Sequence, residues 1–204
     1  MKKMKKSTLT IIIVASVVGI IVIWMIAGYN SLVKKEVNVE GAWAQVETQY
    51  QRRADLISNL VSTVKAYATL EQQTILEATE ARVNAVKQMK IDPNTVTPEQ
   101  LAAYQQAQNE LAQNYEQAKV VVNAVAEQYP QLTSGGNFKQ LSDQLEGTEN
   151  RIAYARTMFN NTTKEYNTAI RRFPNSILAG MFGFERKPFF EADAGAEKAV
   201  KVEF

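Results

Sequence analysis

The chain has 204 residues, 46% of them apolar, with only nine glycines and five prolines, so it can build a folded core and is not a low-complexity chain. It contains no cysteine and no histidine, which excludes disulfides, thiolate metal sites, cysteine nucleophiles and triads that use an imidazole. Four of its 23 basic residues fall within the first six positions, and the remaining 19 face 21 acidic residues. The net charge of +2 therefore predicts no nucleic-acid partner.

The first predicted element is a membrane span. Residues 9–28 are uncharged and mostly apolar, and a helix of this length covers about 30 Å, the thickness of the hydrocarbon core. The lysines before it predict a cytoplasmic basic leader over residues 1–8, a single-pass anchor over 9–28 and an extracytoplasmic remainder. The alternative is a cleaved signal peptide. It is disfavoured because its best cleavage site, Met25-Ile26-Ala27, has a bulky Met where a small residue is needed.

The next part of the chain is predicted to form two helices. No glycine or proline occurs over residues 42–92, where strong helix formers dominate. An apolar stripe with helical spacing runs through Trp43, Val46, Tyr50, Ile57, Leu60, Val64 and Tyr67. Thr69 and Gln72 fit a capping box, which predicts one helix over 31–66 and another over 70–90. The alternative is a single bent helix across both ranges.

Two further helices follow. Thr97 and Pro98 open the third, since a threonine N-cap before proline is a strong start signal. Its stripe is Leu101, Tyr104, Leu111, Tyr115, Ala118, Val122, Val125 and Tyr129. The fourth opens at Asn137 and repeats an apolar residue every seven positions at Phe138, Leu145, Ile152, Phe159, Tyr166 and Phe173. A strict heptad predicts a seam packed against other helices at a shallow crossing angle.

These elements predict an all-α fold. A transmembrane helix precedes an antiparallel up-and-down four-helix bundle over residues 31–173, and an apolar segment with a tail occupies residues 174–204. The alternative has three long helices, the first of them bent. With four helices the chain returns to the membrane end before residue 174, and with three it finishes at the far end.

A cluster of charges is predicted to form a structural layer where the first and last bundle helices run antiparallel. Its members are Arg52, Arg53, Asp55, Glu149 and Arg151. We expect Arg53 to meet Glu149 and Asp55 to meet Arg151, with Gly147 leaving room for an arginine. Such a layer fixes register more than it adds stability, because desolvation consumes much of the Coulomb energy. The alternative is a site in which the two arginines hold a phosphate or carboxylate.

The segment after the bundle is a candidate interaction surface. Its apolar residues are Ile177, Leu178, Met181, Phe182 and Phe184, and the apolar character continues to Phe190. It is too apolar for a solvated tail, so we expect it either to cap the bundle or to face a partner, a second subunit or the lipid headgroups. The residues from Glu191 to Phe204 are expected to be loosely held.

We predict no catalytic, metal-binding or cofactor-binding residues. Glu77 and Glu80 have the i, i+3 spacing found in di-iron bundles, but the histidines that complete such sites are absent. Carboxylate catalysis is the remaining enzyme hypothesis, and replacing Glu77 or Glu80 by glutamine would test it.

Several stretches resemble one known family. They are Asn30–Val33, Ala42–Glu47, Gln51–Val61, Gly147–Arg156, Glu165–Thr168, Arg172–Pro174 and Gly183–Phe184. Together they resemble the LemA family over nearly the whole chain. This resemblance implies a bacterial, membrane-anchored four-helix protein of a family without an established catalytic activity.

The predicted function is that of a non-enzymatic scaffold or adaptor in the cell (inner) membrane. Its expected partners are the lipid bilayer and either an envelope protein or further copies of the chain. The alternative is a regulatory subunit that binds a membrane protease or another envelope enzyme.

Overall fold

The computed structural model describes residues 6–134 and 136–191, and this part of the chain is helical with no strand. The helices are α1 (Lys6–Lys65), α2 (Leu70–Gln88), α3 (Pro98–Gln128), α4 (Gln131–Ser134), α5 (Asn137–Arg171) and α6 (Asn175–Phe182). The all-α prediction is confirmed. Lys2, Lys3 and Lys5 of the leader and the tail over 192–204 lie outside the described residues.

Helix α1 joins two elements that the sequence analysis treats as separate. The apolar run over 9–28 and the predicted helix over 31–66 form one uninterrupted α-helix. Nothing between them ends a helix, since no proline is present and Gly28 costs only about 1 kcal/mol relative to alanine. The most apolar window of α1 has a mean hydropathy of 2.9 and none of it is buried, as expected of a segment whose natural solvent is lipid.

The break predicted between the first two bundle helices is confirmed. Helix α1 ends at Lys65, and Thr69 caps α2 through a reciprocal capping box with Gln72. The backbone N–H of Thr69 donates to Oε1 of Gln72 at 2.9 Å, and the N–H of Gln72 donates to Oγ1 of Thr69 at 3.4 Å. These bonds satisfy two of the amide groups that a helix start leaves unpaired. The alternative of one long bent helix is wrong.

The chain divides into two units. The bundle unit contains the described residues of 40–161 and 187–191, which supply four long helices from α1, α2, α3 and α5. Residue numbers rise along one helix and fall along its neighbour, so adjacent helices run antiparallel. The contacting pairs are Lys65–Glu80 and Asp55–Lys87 between α1 and α2, Thr79–Asn114 and Arg82–Glu110 between α2 and α3, and Trp43–Phe159 and Arg53–Glu149 between α1 and α5.

The heptad of α5 forms the core almost as its spacing predicts. Buried positions in this series are Phe138, Leu145, Ile152, Phe159 and Tyr166. The prediction is wrong for Phe173, which is 77% exposed. Helix α5 ends at Arg171, because a residue that precedes proline, here Phe173, is disfavoured in the helical conformation. Phe173 therefore lies beyond the helix and does not continue its buried stripe.

The second, or anchor, unit contains the described residues of 6–39 and 162–186. Here the first part of α1 pairs with the end of α5 through Lys35 and Glu165, whose charged atoms are 3.4 Å apart. The buried Tyr166 hydroxyl donates to Oε1 of Glu36 at 3.4 Å. Burial, and then the negative charge of Glu36, raise the pKa of Tyr166, so this tyrosine stays a neutral donor.

Candidate functional site

Arg53 is a buried cation of the bundle unit, with 3% of its surface exposed. Its Nη2 donates to the carbonyl oxygen of Gln108 at 2.8 Å and to the side-chain Oε1 of Gln108 at 2.7 Å. Its Nη1 lies 3.3 Å from Oε2 of Glu149, and its guanidinium carbon is 5.1 Å from the ring centroid of Tyr50. The buried charge is therefore paired with the buried Gln108 of α3 and with Glu149 of α5, whose side chain is 51% exposed.

The structure brings Arg53 and Glu149 together but separates the other members of the predicted layer. The expected pair of Asp55 with Arg151 is wrong, because Oδ1 of Asp55 lies 2.6 Å from Nζ of Lys87 on α2. Asp55 faces α2 while Arg151 is exposed on α5. Arg52 is also exposed and its Nη2 donates to Gln144 at 3.3 Å.

The two neighbouring arginines therefore have different partners. The buried Arg53 bonds Gln108 in the interior and Glu149 at the edge of the bundle unit, and the exposed Arg52 bonds Gln144 at the surface. An open cleft of about 540 Å³ is lined by Arg53 and Glu149 together with carboxylates and a lysine. Gly147 does not make room for an arginine as predicted, because a Cβ built on it meets nothing within 4 Å.

The predicted interaction surface is formed by α6 and lies in the anchor unit. Leu178 is fully buried, and its Cδ1 fills the space beside Gly28 of α1. Tyr29 of α1 makes an edge-on contact with Phe182, with ring centroids 4.9 Å apart, and a tilted contact with Phe184 at 5.7 Å. Helix α6 is therefore docked at the end of the apolar part of α1.

The face of α6 that carries Ile177 and Met181 is open, since these residues are 51% and 61% exposed. Phe182 contacts Tyr29 and is still 49% exposed. Burial and exposure were the two alternatives predicted for this segment. In the structure both occur, because Leu178 is buried while three of its apolar neighbours are exposed.

Sequence reasoning missed the chemistry of the last described residues, 187–191, which we call the C-terminal strap. Phe190 is 4% exposed and lies between Trp43 and Phe159, at centroid distances of 5.8 and 5.4 Å. Asn160 of α5 and Gln105 of α3 bond the strap backbone. The apolar pair Phe189-Phe190 indicates burial, but no local sequence pattern shows which side-chain amides would bind the backbone of the strap.

The carboxylates singled out as metal or catalytic candidates have structural partners. Nζ of Lys65 lies 3.4 Å from Glu77 and 3.2 Å from Glu80. Those two hydrogen-bonded and charged contacts raise the pKa of Lys65. Over the part of the chain that the structure describes, no group of three or more acidic side chains is placed to hold a metal ion.

Comparison with known proteins gives one family and several relatives. Residues 42–204 match the model of the LemA family. Magnetosome protein MamQ of Magnetospirillum gryphiswaldense is 27% identical over 210 residues, covering 95% of this chain and 77% of the relative. Magnetosome proteins MamQ 1 and MamQ 2 of Paramagnetospirillum magneticum are each 29% identical over 205 residues, covering 94% of this chain and 75% of the relative.

Proposed function

The chain belongs to the LemA family, and we propose that this membrane protein is a scaffold or adaptor that presents its helical bundle to partners without catalysing a reaction. Its N-terminal leader is cytoplasmic and its bundle unit is extracytoplasmic. The regulatory-subunit alternative differs only in the partner, which would then be one envelope enzyme.

The observation that carries the proposal is the docking of α6 beside the end of the anchor. Leu178 packs on Gly28, and the exposed Ile177 and Met181 lie on the same short helix. Apolar side chains next to the end of a membrane span are stabilised when they enter the boundary between headgroups and acyl chains. Helix α6 therefore gives the protein a second attachment to the bilayer, in addition to the anchor.

The charge of the anchor unit supports the same placement. After the apolar run, this unit carries six basic residues against three acidic ones. The basic residues are Lys34, Lys35, Lys164, Arg171, Arg172 and Arg186. Arg171, Arg172 and Arg186 are exposed on either side of α6, where cations are attracted to anionic lipid headgroups.

The pairing of charged groups with one another in the bundle unit supports a structural role. Arg53 lines the open cleft, but both of its Nη groups are bonded, to Gln108 and to Glu149. Lys65 holds Glu77 and Glu80 in ion pairs. Partners would therefore bind the exposed surface of the bundle unit. This surface includes Val120 and Tyr154, which are 70% and 66% exposed.

Photo-crosslinking in intact cells tests this function. A photoreactive residue at Ile177 or Met181 is expected to label lipid, and one at Val120 or Tyr154 is expected to label protein. Leu178 is the matched control, because it is buried and should label neither.

The products decide between the alternatives. Adducts with further copies or several proteins support a scaffold, while one dominant envelope enzyme supports a regulatory subunit. Absence of protein adducts across the exposed faces of the bundle would contradict both. An enzymatic activity of the purified protein that is lost in Glu77→Gln or Glu80→Gln would overturn the non-catalytic assignment.

A further inference from the structure

The C-terminal strap is held mainly through its backbone. The N–H of Phe190 donates to Oδ1 of Asn160 at 2.9 Å, and Nδ2 of Asn160 donates back to the carbonyl of Phe190 at 2.9 Å. One residue later the same exchange occurs with Gln105, at 3.3 Å from the N–H of Glu191 and 3.0 Å to its carbonyl. Each side-chain amide thus exchanges two hydrogen bonds with one residue of the strap, as the opposite residue of a hydrogen-bonded antiparallel pair does.

Two side chains of the strap enter the bundle unit. The Phe190 ring stacks on Trp43 with an interplanar angle of 11°, meets Phe159 edge-on, and lies 5.3 Å from the guanidinium carbon of Arg156. Lys187 is 6% exposed, and its Nζ donates to Oδ1 of Asn94 at 2.7 Å. The neighbouring Phe189 is 40% exposed.

This arrangement has the two components of extended-peptide recognition. Main-chain hydrogen bonds give affinity without regard to sequence, and pockets for particular side chains give specificity. Here the amides of Asn160 and Gln105 bind the backbone, and the pockets accept a lysine and, three residues later, a phenylalanine. The bundle helices make their backbone hydrogen bonds within themselves, so they do not need the hydrogen bonds of the strap in order to form.

We propose that this groove is a peptide-binding site for a Lys-x-x-Phe segment, and that the strap of a second copy occupies it when the protein self-associates. In the isolated chain the site is filled by the chain's own strap. The proposal deepens the scaffold function and rests on it, because it names a second copy as the partner and the strap as the connecting segment.

Three features of the chain favour a second copy as the occupant. Its strap has the same sequence, so every hydrogen bond and ring contact of Phe190 is remade after an exchange, which makes such swapping a low-cost route to dimers. Residues 184–186, which lead into the strap, are outside any helix, so no secondary structure is lost. Anchoring in one bilayer also raises the effective concentration of each strap around its neighbours' grooves.

Complementary variants of the full chain test the exchange. One carries Lys187→Ala and Phe190→Ala, which leaves its groove empty, and the other carries Gln105→Leu and Asn160→Leu, which frees its strap. With different affinity tags in the same liposomes, the mixture is expected to co-purify about tenfold more than either variant with itself. Phe189→Ala is the matched control for the strap variant, since its own Phe190 still fills the groove and no gain is expected.

A labelled peptide of residues 185–191 provides the second measurement. It should bind the emptied groove about tenfold or more tightly than the groove of the unmodified chain, which its own strap occupies. Should Phe190→Ala fail to keep its helical circular dichroism, Phe190→Leu retains apolar volume and still removes the ring contacts.

Two results would overturn the proposal. Equal co-purification of the mixture and the single variants, with all of them folded, excludes exchange between copies. Binding of the peptide without exchange between chains would assign the groove to a segment of another protein instead. The scaffold function fails separately, when the exposed bundle positions give no protein adducts in cells.

Discussion

Leu178 occupies the space in which a side chain at position 28 would lie, since a Cβ built on Gly28 comes within 2.5 Å of its Cδ1. Glycine at this point lets α6 approach the backbone of α1, and the leucine is completely buried as a result. The contact fixes α6 beside the end of the membrane span. It therefore controls where Ile177 and Met181 are exposed.

We predict that Gly28→Val displaces α6 from α1. A single cysteine introduced by Ala179→Cys is a clean probe, because Ala179 is buried on α6, Leu178 is kept, and the chain has no cysteine of its own. In detergent this thiol should react slowly with a maleimide when residue 28 is glycine, and at least several times faster in the Gly28→Val background. Gly19→Val is the matched control, because a Cβ there meets nothing within 4 Å. Equal rates in all three backgrounds would mean that α6 does not depend on this contact.

Arg53→Ala is expected to lower the free energy of unfolding by about 2–4 kcal/mol, because it leaves the buried Gln108 without its charged donor and removes the partner of Glu149. Arg52→Ala, one residue away and exposed, should change it by less than about 0.5 kcal/mol. Denaturant unfolding of the purified protein in detergent, followed by circular dichroism, measures both. A loss below about 0.5 kcal/mol for Arg53→Ala would show that Arg53 contributes little to stability and would reopen the ligand hypothesis.

Local sequence signals predicted the helices well, whereas most contacts between residues far apart in the sequence could not be predicted. Thr69 and Thr97 cap helices as predicted because a capping box involves only residues three apart. The antiparallel register of α1 and α5 was enough to predict the pair of Arg53 and Glu149. It does not say where α2 lies, so the pair of Asp55 and Lys87 was not predicted. The groove was missed for the same reason, since Gln105, Asn160 and Phe190 meet only through tertiary structure.

Gly147→Ala is expected to stabilise the bundle unit by about 0.5–1 kcal/mol. Gly147 lies inside α5, where glycine costs roughly this much relative to alanine, and the added methyl group meets nothing within 4 Å. Thermal unfolding should therefore show a higher midpoint. Gly136→Ala in the same unit serves as the opposite control: Gly136 has φ +74°, a left-handed conformation that alanine disfavours, so its midpoint should fall. A lower midpoint for Gly147→Ala would point to a steric role that the open space around it does not indicate.

The stability of the bundle unit should fall at alkaline pH. Burial, followed by the charge of Tyr50, raises the pKa of Tyr104 from 10.0 to about 12. The folded state therefore holds this proton more tightly than the unfolded state, and the stabilisation is complete below pH 10 and is lost as the pH rises towards 12. Denaturant titrations across this range should show a decline of up to about 1.4 kcal/mol per pH unit for one such tyrosine.

Tyr104→Phe should reduce this decline, while Tyr154→Phe should not, because Tyr154 is 66% exposed. The remaining slope in Tyr104→Phe is expected to come partly from Tyr115, whose pKa burial also raises to about 12. An unchanged slope in Tyr104→Phe would show that its proton is not linked to folding.

The orientation in the membrane can be tested with a reporter fused after Phe204. An alkaline phosphatase domain, which folds only outside the cytoplasm, should be active, and a fluorescent protein that matures only in the cytoplasm should be dark. The physical reason is the cluster of four lysines before the apolar run, which the positive-inside rule places in the cytoplasm. Replacing Lys2, Lys3, Lys5 and Lys6 with glutamine should shift part of the population to the opposite orientation, because Lys34 and Lys35 then supply the stronger positive flank. Cytoplasmic activity of the unmodified fusion would invert the topology and place the groove and the exposed face of the bundle among cytoplasmic partners.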